Sequence, residues 1–162
     1  HYLLGTPFAP AGDFEISAQM QSLSQSGDGW PLALTSTTSL NPFVGFTVNS
    51  SGTLSARHRD DSAVTQLSFD IQTPVADTLQ VLEIKYLAGV LTFWVNNSLV
   101  ATSAADLSNT TVKVHGIGVF IRTSASGFFN GILSRPNLID LTTPANSLYF
   151  KLNQLTKEYE LP

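Results

Sequence analysis

The chain of 162 residues has a net charge of −4 and no cysteine, and only 12% of its residues are charged, about half of the usual share. The length fits one domain that buries about two thirds of the surface of its unfolded chain, and no apolar run approaches the ~18 residues of a membrane-spanning helix. The eight scattered Lys and Arg argue against nucleic-acid binding, which needs a basic patch, and the lack of cysteine excludes disulfides and thiolate metal sites.

Apolar and polar residues alternate with a period of two along most of the chain, which predicts short β-strands. In chain order the candidate segments are FEISAQMQ, GFTVNSSGTLSARHR, VTQLSFDI, LQVLEIKYLAG, GVLTFWVNNSLVATS, VKVHGIGVFIRT, FFNGILS and SLYFKLNQL. Gly52 suits the positive φ of a hairpin turn, and Ala88-Gly89 predicts another such turn. The only helix candidate is a short turn at residues 103–107. About a dozen strands broken by turns predict an all-β sandwich or barrel.

Three segments, in this order, resemble the laminin-G-like branch of the concanavalin A-like lectin/glucanase superfamily. The first is FEISAQMQ. The second carries FWVNN at residues 93–97, where the family has an aromatic-rich strand ending in Val-Asn-Gly; Asn97 replaces the Gly and tolerates the same left-handed turn. The third carries FFNGI at residues 128–132, where the family has Phe-x-Gly-x-Ile. The resemblance spans residues 10–153 and implies a two-sheet antiparallel jelly roll.

We therefore expect one concanavalin A-like β-sandwich domain over residues 1–162, with its core at about 10–153. Residues 154–162 are expected to be a tail or the start of a next segment. Because the chain does not begin with Met and shows no signal peptide, we interpret it as an excised fragment or a processed product. Residues 143–150 resemble the end of laminin-G-like modules in bacteriophage tail and fibre proteins, where Thr-Pro-x-Asn-Ser leads into a strand.

The resemblance raises the question of catalysis, because glucanases of this superfamily place two carboxylates in a Glu-x-Asp-x-x-Glu segment on one strand. Asp13 and Glu15 lack a third acid at the needed offset, and Glu83 is alone in its strand. Asp60 and Asp61 are adjacent, so they would point to opposite faces of a strand. No Gly-x-Ser-x-Gly elbow is present either. We predict that the chain is not an enzyme, with glycoside hydrolysis as the less favoured alternative.

Metal binding has two candidates. In lytic polysaccharide monooxygenases an N-terminal His chelates copper through its amine and its ring. His1 could do the same here, and its partners would have to be His58 or His115. We favour the alternative that His1 is left by cloning or by the choice of fragment, because the laminin-G-like pattern and the lack of cysteine both argue against that family. Calcium is common in the superfamily, and the loop acids that it would use are Asp28, Asp60, Asp61 and Asp106. They form no recognisable ligand string, so we predict no cofactor and keep calcium open.

Aromatic rings and polar groups suggest a binding site for sugars, which stack on aromatic faces and are oriented by a few polar side chains. The predicted ligand-binding residues are Trp30, Asp28, Arg57, His58, Arg59, Asp60 and Arg122. The guanidinium forks suit acidic sugars, and Asp accepts from hydroxyls. The alternatives are that Trp30 plugs the sandwich, that residues 56–61 are a solvated strand end, and that Arg122 is an ordinary surface arginine. Trp94 has the opposite parity to its neighbours, so it lies on an outer sheet face or under a loop.

The sequence thus predicts a non-catalytic carbohydrate-binding module of a larger extracellular or virion protein, which recognises glycans on a host surface. Its partners would be a glycan or cell-surface polysaccharide and copies or neighbours of its parent protein, without nucleic acid or membrane insertion. The alternative is a structural or protein-binding module of a phage tail or fibre.

Overall fold

A computed structural model of the chain describes residues 3–8, 12–36, 42–60, 65–72, 78–104, 114–118, 120–121, 125–149, 151–152 and 159–160. Regular structure in these residues is β-strand, apart from a single 3-10 turn at Pro144–Asn146. The strands are β1 (Leu3–Phe8), β2 (Phe14–Ser22), β3 (Gly29–Thr35), β4 (Phe43–Val48), β5 (Leu54–Arg59), β6 (Thr65–Gln72), β7 (Leu79–Leu87), β8 (Val90–Val95), β9 (Ser98–Ala104), β10 (Val114–Ile117), β11 (Phe120–Ile121), β12 (Ala125–Ser126), β13 (Gly131–Asp140), β14 (Leu148–Tyr149), β15 (Lys151–Leu152) and β16 (Tyr159–Glu160). The described part of the chain has no helix with the length and apolar character needed to cross a bilayer.

Two antiparallel main sheets account for most of these strands. One has six strands in the order β14-β13-β2-β7-β8-β9, and the other has four in the order β3-β4-β5-β6. Three shorter pairs join β1 with β10, β11 with β12, and β15 with β16. The predicted fold class, an all-β antiparallel sandwich of two sheets, is confirmed.

A single apolar layer fills the space between the two sheets. Strand β2 shows why, since Phe14, Ile16, Ala18 and Met20 alternate with half-buried polar residues, as the period of a strand requires. The largest side chains that are fully buried are Phe14, Phe46, Phe93, Ile16, Met20, Leu32, Leu34, Leu54, Leu82, Ile84, Leu91 and Leu138. Both sheets contribute to this set, so each sheet supplies one wall of the core.

The rings of Phe46 and Phe93 meet in the centre of this layer. Phe46 belongs to β4 of the four-stranded sheet and Phe93 to β8 of the six-stranded sheet. Their centroids lie 5.5 Å apart with the planes at 86°, an edge-to-face contact. Burying such a side chain stabilises the fold by roughly 1.5–3 kcal/mol, and an aromatic pair adds about 0.5–1.5 kcal/mol. The contact therefore ties one sheet to the other.

The predicted hairpin turns are present and have the backbone conformations that their residues favour. Gly52 has φ of 80° in the turn between β4 and β5. Ala88 and Gly89 have φ of 48° and 82°, and Asn96 and Asn97 have φ of 50° and 64°. Two consecutive positive φ angles characterise the tight turns whose twist matches that of the flanking strands. Asn97 thus fills the left-handed position that the sequence predicted for it.

The expected helical turn at residues 103–107 is corrected in part by the structure, and the expected end of the core stays open. In the segment 103–107, Ser103 and Ala104 are the last residues of β9 and form no helical turn, because β9 continues its ladder with β8 through that point. Residues 105–107 lie outside the described residues. Within the expected tail, Tyr159–Glu160 pairs with Lys151–Leu152, and the proposed end of the core at about residue 153 stays a prediction.

Replacing Phe93 by Ala should lower the free energy of unfolding by about 3–5 kcal/mol, because the lost ring leaves a cavity between the sheets. Urea unfolding followed by circular dichroism measures the change. Leu99→Ala, at an exposed position on the neighbouring strand β9, is the matched control and should cost less than about 0.5 kcal/mol. Equal losses for the two variants would contradict the description of the core.

Candidate functional site

Two of the predicted arginines lie on the outer face of the four-stranded sheet. Arg57 and Arg59 are two residues apart on β5, so they share one face, and both are half-buried. Phe43 of β4 pairs directly with Arg59, and the Arg59 guanidinium carbon lies 5.3 Å from the centroid of the Phe43 ring. Such cation–π contacts orient a guanidinium above an aromatic surface. We call Trp30, Phe43, Arg57 and Arg59 the arginine face.

Trp30 supports this face from within and is not an exposed platform. It is only 9% exposed, and its ring meets that of Phe43 edge to face at a centroid distance of 5.5 Å. Gly127, with φ of 56°, packs against it so closely that an added Cβ would lie 2.5 Å from the indole Cδ1. The backbone N–H of Trp30 also donates to the Gly127 carbonyl at 3.0 Å. The burial agrees with a packing role, the alternative that the sequence left open.

Arg57 shares its guanidinium with the neighbouring strand β6. One nitrogen lies 3.7 Å from the carboxylate of Asp70, which is 68% exposed, and another donates to Ser68. Asp70 also accepts a hydrogen bond from Ser55 at 2.7 Å. Because an ion pair this open to water contributes little to stability, an incoming anion can compete with Asp70 for Arg57 at small cost.

The other predicted site residues lie in different places. Asp60 follows β5 and is half-buried beside Arg59. Asp28 is exposed in the loop before β3, at the opposite end of the sheet from Arg59, since Gly29 pairs with Val48 whereas Arg59 pairs with Phe43. The structure therefore does not bring Asp28 and Asp60 together. Arg122 lies outside the described residues.

His58 points away from the arginine face and into the protein. Its side chain is only 1% exposed, and its Nδ1 lies 2.9 Å from Ser103 Oγ on β9, at the far edge of the six-stranded sheet. Among the described residues, the buried Nε2 has no hydrogen-bond partner. Burial lowers the pKa of His58, and the charge of Asp60 partly opposes this. His58 is thus placed as a link between the sheets and not beside a surface ligand.

A second group of polar and aromatic side chains in mutual contact lies on the outer face of the six-stranded sheet. We call Glu15, Glu83, Lys85, Thr92 and Trp94 the Trp94 face. The Lys85 ammonium lies 3.3 Å from the Glu15 carboxylate and 3.1 Å from that of Glu83, and 5.6 Å from the centre of the Trp94 ring. The indole N–H of Trp94 donates to Thr92 Oγ1 at 3.0 Å. Trp94 is half-buried on the outer face, which answers the question that its parity raised.

The charges of the Trp94 face hold one another in place. Burial raises the pKa of Glu83, and a hydrogen bond with the Glu15 carboxyl raises it further, while Lys85 partly offsets both effects. Burial alone would lower the pKa of Lys85, but its hydrogen bonds to Glu83 and Glu15 outweigh that effect and raise it. Lys85 therefore remains an ammonium between two acceptors across the neutral pH range.

Sequence reasoning missed this group because it interpreted Glu83 as solitary. Glu83 and Lys85 belong to β7, and Glu15 belongs to β2, which pairs with β7 in a register that sets Glu15 opposite Lys85. Parity alone indicates that Glu83 and Lys85 share a face, whereas Glu15 joins them only through this register.

Potential metal ligands do not cluster in the described part of the chain, where no group of three or more His, Asp or Glu side chains is placed to hold an ion. Asp28 and Asp60 are separated, as above. Asp61, Asp106 and His1 lie outside the described residues.

Comparisons with known proteins give fold neighbours only. No protein-family model and no curated protein sequence matches this chain. The sialidase carbohydrate-binding module CBM40 of Ruminococcus gnavus, bound to α2,3-sialyllactose, has a TM-score of 0.56 and 14% identity, covering 79% of this chain and 81% of that one. A heptameric SAP-like pentraxin from Limulus polyphemus has a TM-score of 0.63 and 12% identity, covering 99% and 84%. Tailspike protein 2 of a bacteriophage of Escherichia coli O157:H7 has a TM-score of 0.61 and 12% identity, covering 90% of this chain and 22% of the tailspike.

At these identities the likeness establishes the fold and nothing more. The first two proteins are lectin-like sandwiches of similar length, in agreement with the jelly roll that the sequence resemblance implied. This chain spans about a fifth of the tailspike.

His58 should make the fold sensitive to mild acid. Its pKa is lowered in the folded protein, so the unfolded chain binds a proton first as the pH falls below about 6.5, the ordinary value for His. The free energy of unfolding should therefore decrease from that pH downwards, until the folded protein also binds the proton. Urea unfolding of the wild type and of His58→Gln between pH 8 and 5 measures this contribution.

The contribution of His58 is the difference in the free energy of unfolding between the wild type and His58→Gln at each pH. Glu83, whose pKa is raised, stabilises both proteins as the pH falls, so its effect cancels in this difference. The wild type should lose more stability than His58→Gln on acidification. Parallel pH profiles would show that His58 is not held neutral in the interior.

Proposed function

We propose that this chain is a non-catalytic carbohydrate-binding module that recognises acidic glycans through its arginine face. The observation that carries the proposal is the placement of Arg57 and Arg59 side by side on one accessible sheet face, with Phe43 beneath Arg59. Two of only eight basic residues of the chain meet there. The lectin-like fold supports the same class of function.

The chemistry of the arginine face favours a carboxylate or sulfate on the sugar. A guanidinium presents parallel N–H donors whose geometry matches an oxyanion, and such charge-assisted bonds are stronger than neutral ones. Phe43 and Trp30 stiffen the support under Arg59, which reduces the entropy lost on binding. The structure of the CBM40 neighbour contains sialyllactose, an acidic sugar, which supports the choice of an acidic sugar as the proposed ligand.

A single site of this kind is shallow, and we infer that useful affinity comes from repetition. Linking several weak sites in one assembly raises the effective concentration of each and can strengthen binding by about 10²–10⁴-fold. We therefore propose that the module works as one of several copies in a larger extracellular or virion protein. The fold likeness to a phage tailspike supports the virion setting, with a host-surface glycan as the partner.

The same likeness also favours a second candidate, a structural module of a tail or fibre. A segment of this size occupies only 22% of the tailspike, where a sandwich without a ligand would act as a spacer or as a contact between chains. A glycan array that contains host surface polysaccharides separates the two candidates. Silence across the array, with the domain folded, would favour the structural role.

Arg59→Gln should weaken binding to acidic oligosaccharides by about tenfold, since one charge-assisted contact of roughly 1.4 kcal/mol is lost. Sialyllactose and an oligogalacturonate are the probes, titrated by calorimetry. Arg135→Gln is the matched control, because it removes the same charge from an exposed position on β13 of the other sheet. It should leave binding unchanged, and both variants should melt close to the wild type.

The binding should also weaken as salt is raised, because exposed charges are screened. Equal affinity of Arg59→Gln and the wild type, or an equal loss in Arg135→Gln, would remove the arginine face from the proposal.

A further inference from the structure

The outer face of the six-stranded sheet carries a second constellation that the arginine face does not use. We propose that the Trp94 face is a separate carbohydrate site that takes a neutral pyranose with neighbouring hydroxyls. This second site goes beyond the proposed function, because it binds a different class of ligand on the opposite side of the sandwich.

Accessibility is the first requirement, and the Trp94 face meets it. Side chains that point outward from the middle of β2 and β7, such as Ser17, Gln19 and Val81, are half-buried, whereas those pointing inward are buried. The same alternation holds for Thr92 and Trp94 on β8. No second layer formed by the described residues therefore covers the centre of this face.

The charges of the site select against anions. Two carboxylates, Glu15 and Glu83, flank one ammonium, Lys85. The ammonium is already neutralised by these neighbours, so a sulfate or carboxylate on the ligand would meet an excess of negative charge. On the arginine face the balance is reversed, because two guanidinium groups, Arg57 and Arg59, face one ion-paired carboxylate, that of Asp70.

The donors and acceptors of the site suit adjacent hydroxyls. Lys85 holds its ammonium 3.1 Å from one carboxylate and 3.3 Å from the other, which fixes a donor between two acceptors. A hydroxyl can both accept from the ammonium and donate to a carboxylate, so two neighbouring hydroxyls of one ring complete the network together. A ligand with a single hydroxyl satisfies only half of it.

Trp94 supplies the apolar part of the site. The hydrogen bond from its indole N–H to Thr92 fixes the ring, and its position opposite Glu83 in the ladder places it beside the carboxylates. Large aromatic side chains offer contact area to the C–H groups of a sugar ring at a low cost in side-chain entropy. Ring, donor and acceptors thus converge within reach of one pyranose.

The two tryptophans of the chain provide one reporter for each face. Their indole N–H groups give two resonances in a ¹H–¹⁵N correlation spectrum, assigned with Trp94→Phe and Trp30→Phe. Lactose, maltotriose, cellotriose and mannotriose are the neutral probes at about 10 mM, above the millimolar dissociation constant of a weak site. Sialyllactose is the acidic probe.

At least one neutral probe should shift the Trp94 resonance and leave that of Trp30 in place, with an affinity that does not change with salt. Glu83→Gln, which keeps the shape of the side chain, should weaken this binding by about tenfold, as expected for a central polar contact. Thr102→Ala, an exposed position on the same face in β9, should bind like the wild type.

The proposal is overturned if none of the neutral probes shifts the Trp94 resonance, if only sialyllactose shifts it, or if Glu83→Gln binds the sugar as well as the wild type. These outcomes can be told apart from a failure of the proposed function. If the arginine face binds no acidic sugar, sialyllactose leaves the Trp30 resonance in place and Arg59→Gln binds acidic sugars as the wild type does, while the Trp94 resonance still responds to neutral sugars.

Discussion

The packing of one sheet upon the other is the constraint on which the rest of this structure depends. Phe46 and Phe93 meet edge to face across that interface, inside a layer whose members come from both sheets. In a strand, each residue turned inward fixes its two neighbours outward. Packing Phe93 against Phe46 therefore also decides that Trp94 faces water, and packing His58 inward decides that Arg57 and Arg59 face outward. The surface chemistry follows from the register of the core.

The two outer faces carry different chemistry because they are built from different residues around the same core. One presents guanidinium groups on an aromatic support, and the other presents a lysine held between two glutamates beside an indole. Under the two proposals one face takes acidic sugars and the other takes neutral ones, so one sandwich would bind two parts of a heterogeneous polysaccharide without any change of shape. In the proposed assembly of several copies, this would multiply the contacts available to each module.

Much of the fold is local enough to be predicted from the sequence. The turns at Ala88-Gly89 and Asn96-Asn97 depend on residues that tolerate positive φ, and the alternation around Phe93 depends only on neighbours in the chain. The inward direction of His58 was also within reach, since it shares its parity with Leu54 and Ala56. The binding role assigned to it did not take that parity into account.

The candidate sites were harder to predict, because they depend on pairings between distant segments. Glu15 meets Lys85 only through the register of β2 with β7, and no local pattern encodes that register. The burial of Trp30 depends on the approach of Gly127, almost a hundred residues later. The shared face of Arg57 and Arg59 is simpler, because two residues of one strand need no long-range pairing.

The most direct test of the central claim is a nuclear Overhauser measurement on the folded protein with labelled aromatic rings. The structure predicts cross-peaks between the ring protons of Phe46 and Phe93, and none between Phe46 and Trp94. Because a slip of one residue turns every side chain of a strand to the other face, cross-peaks from Phe46 to Trp94 in place of Phe93 would contradict the account.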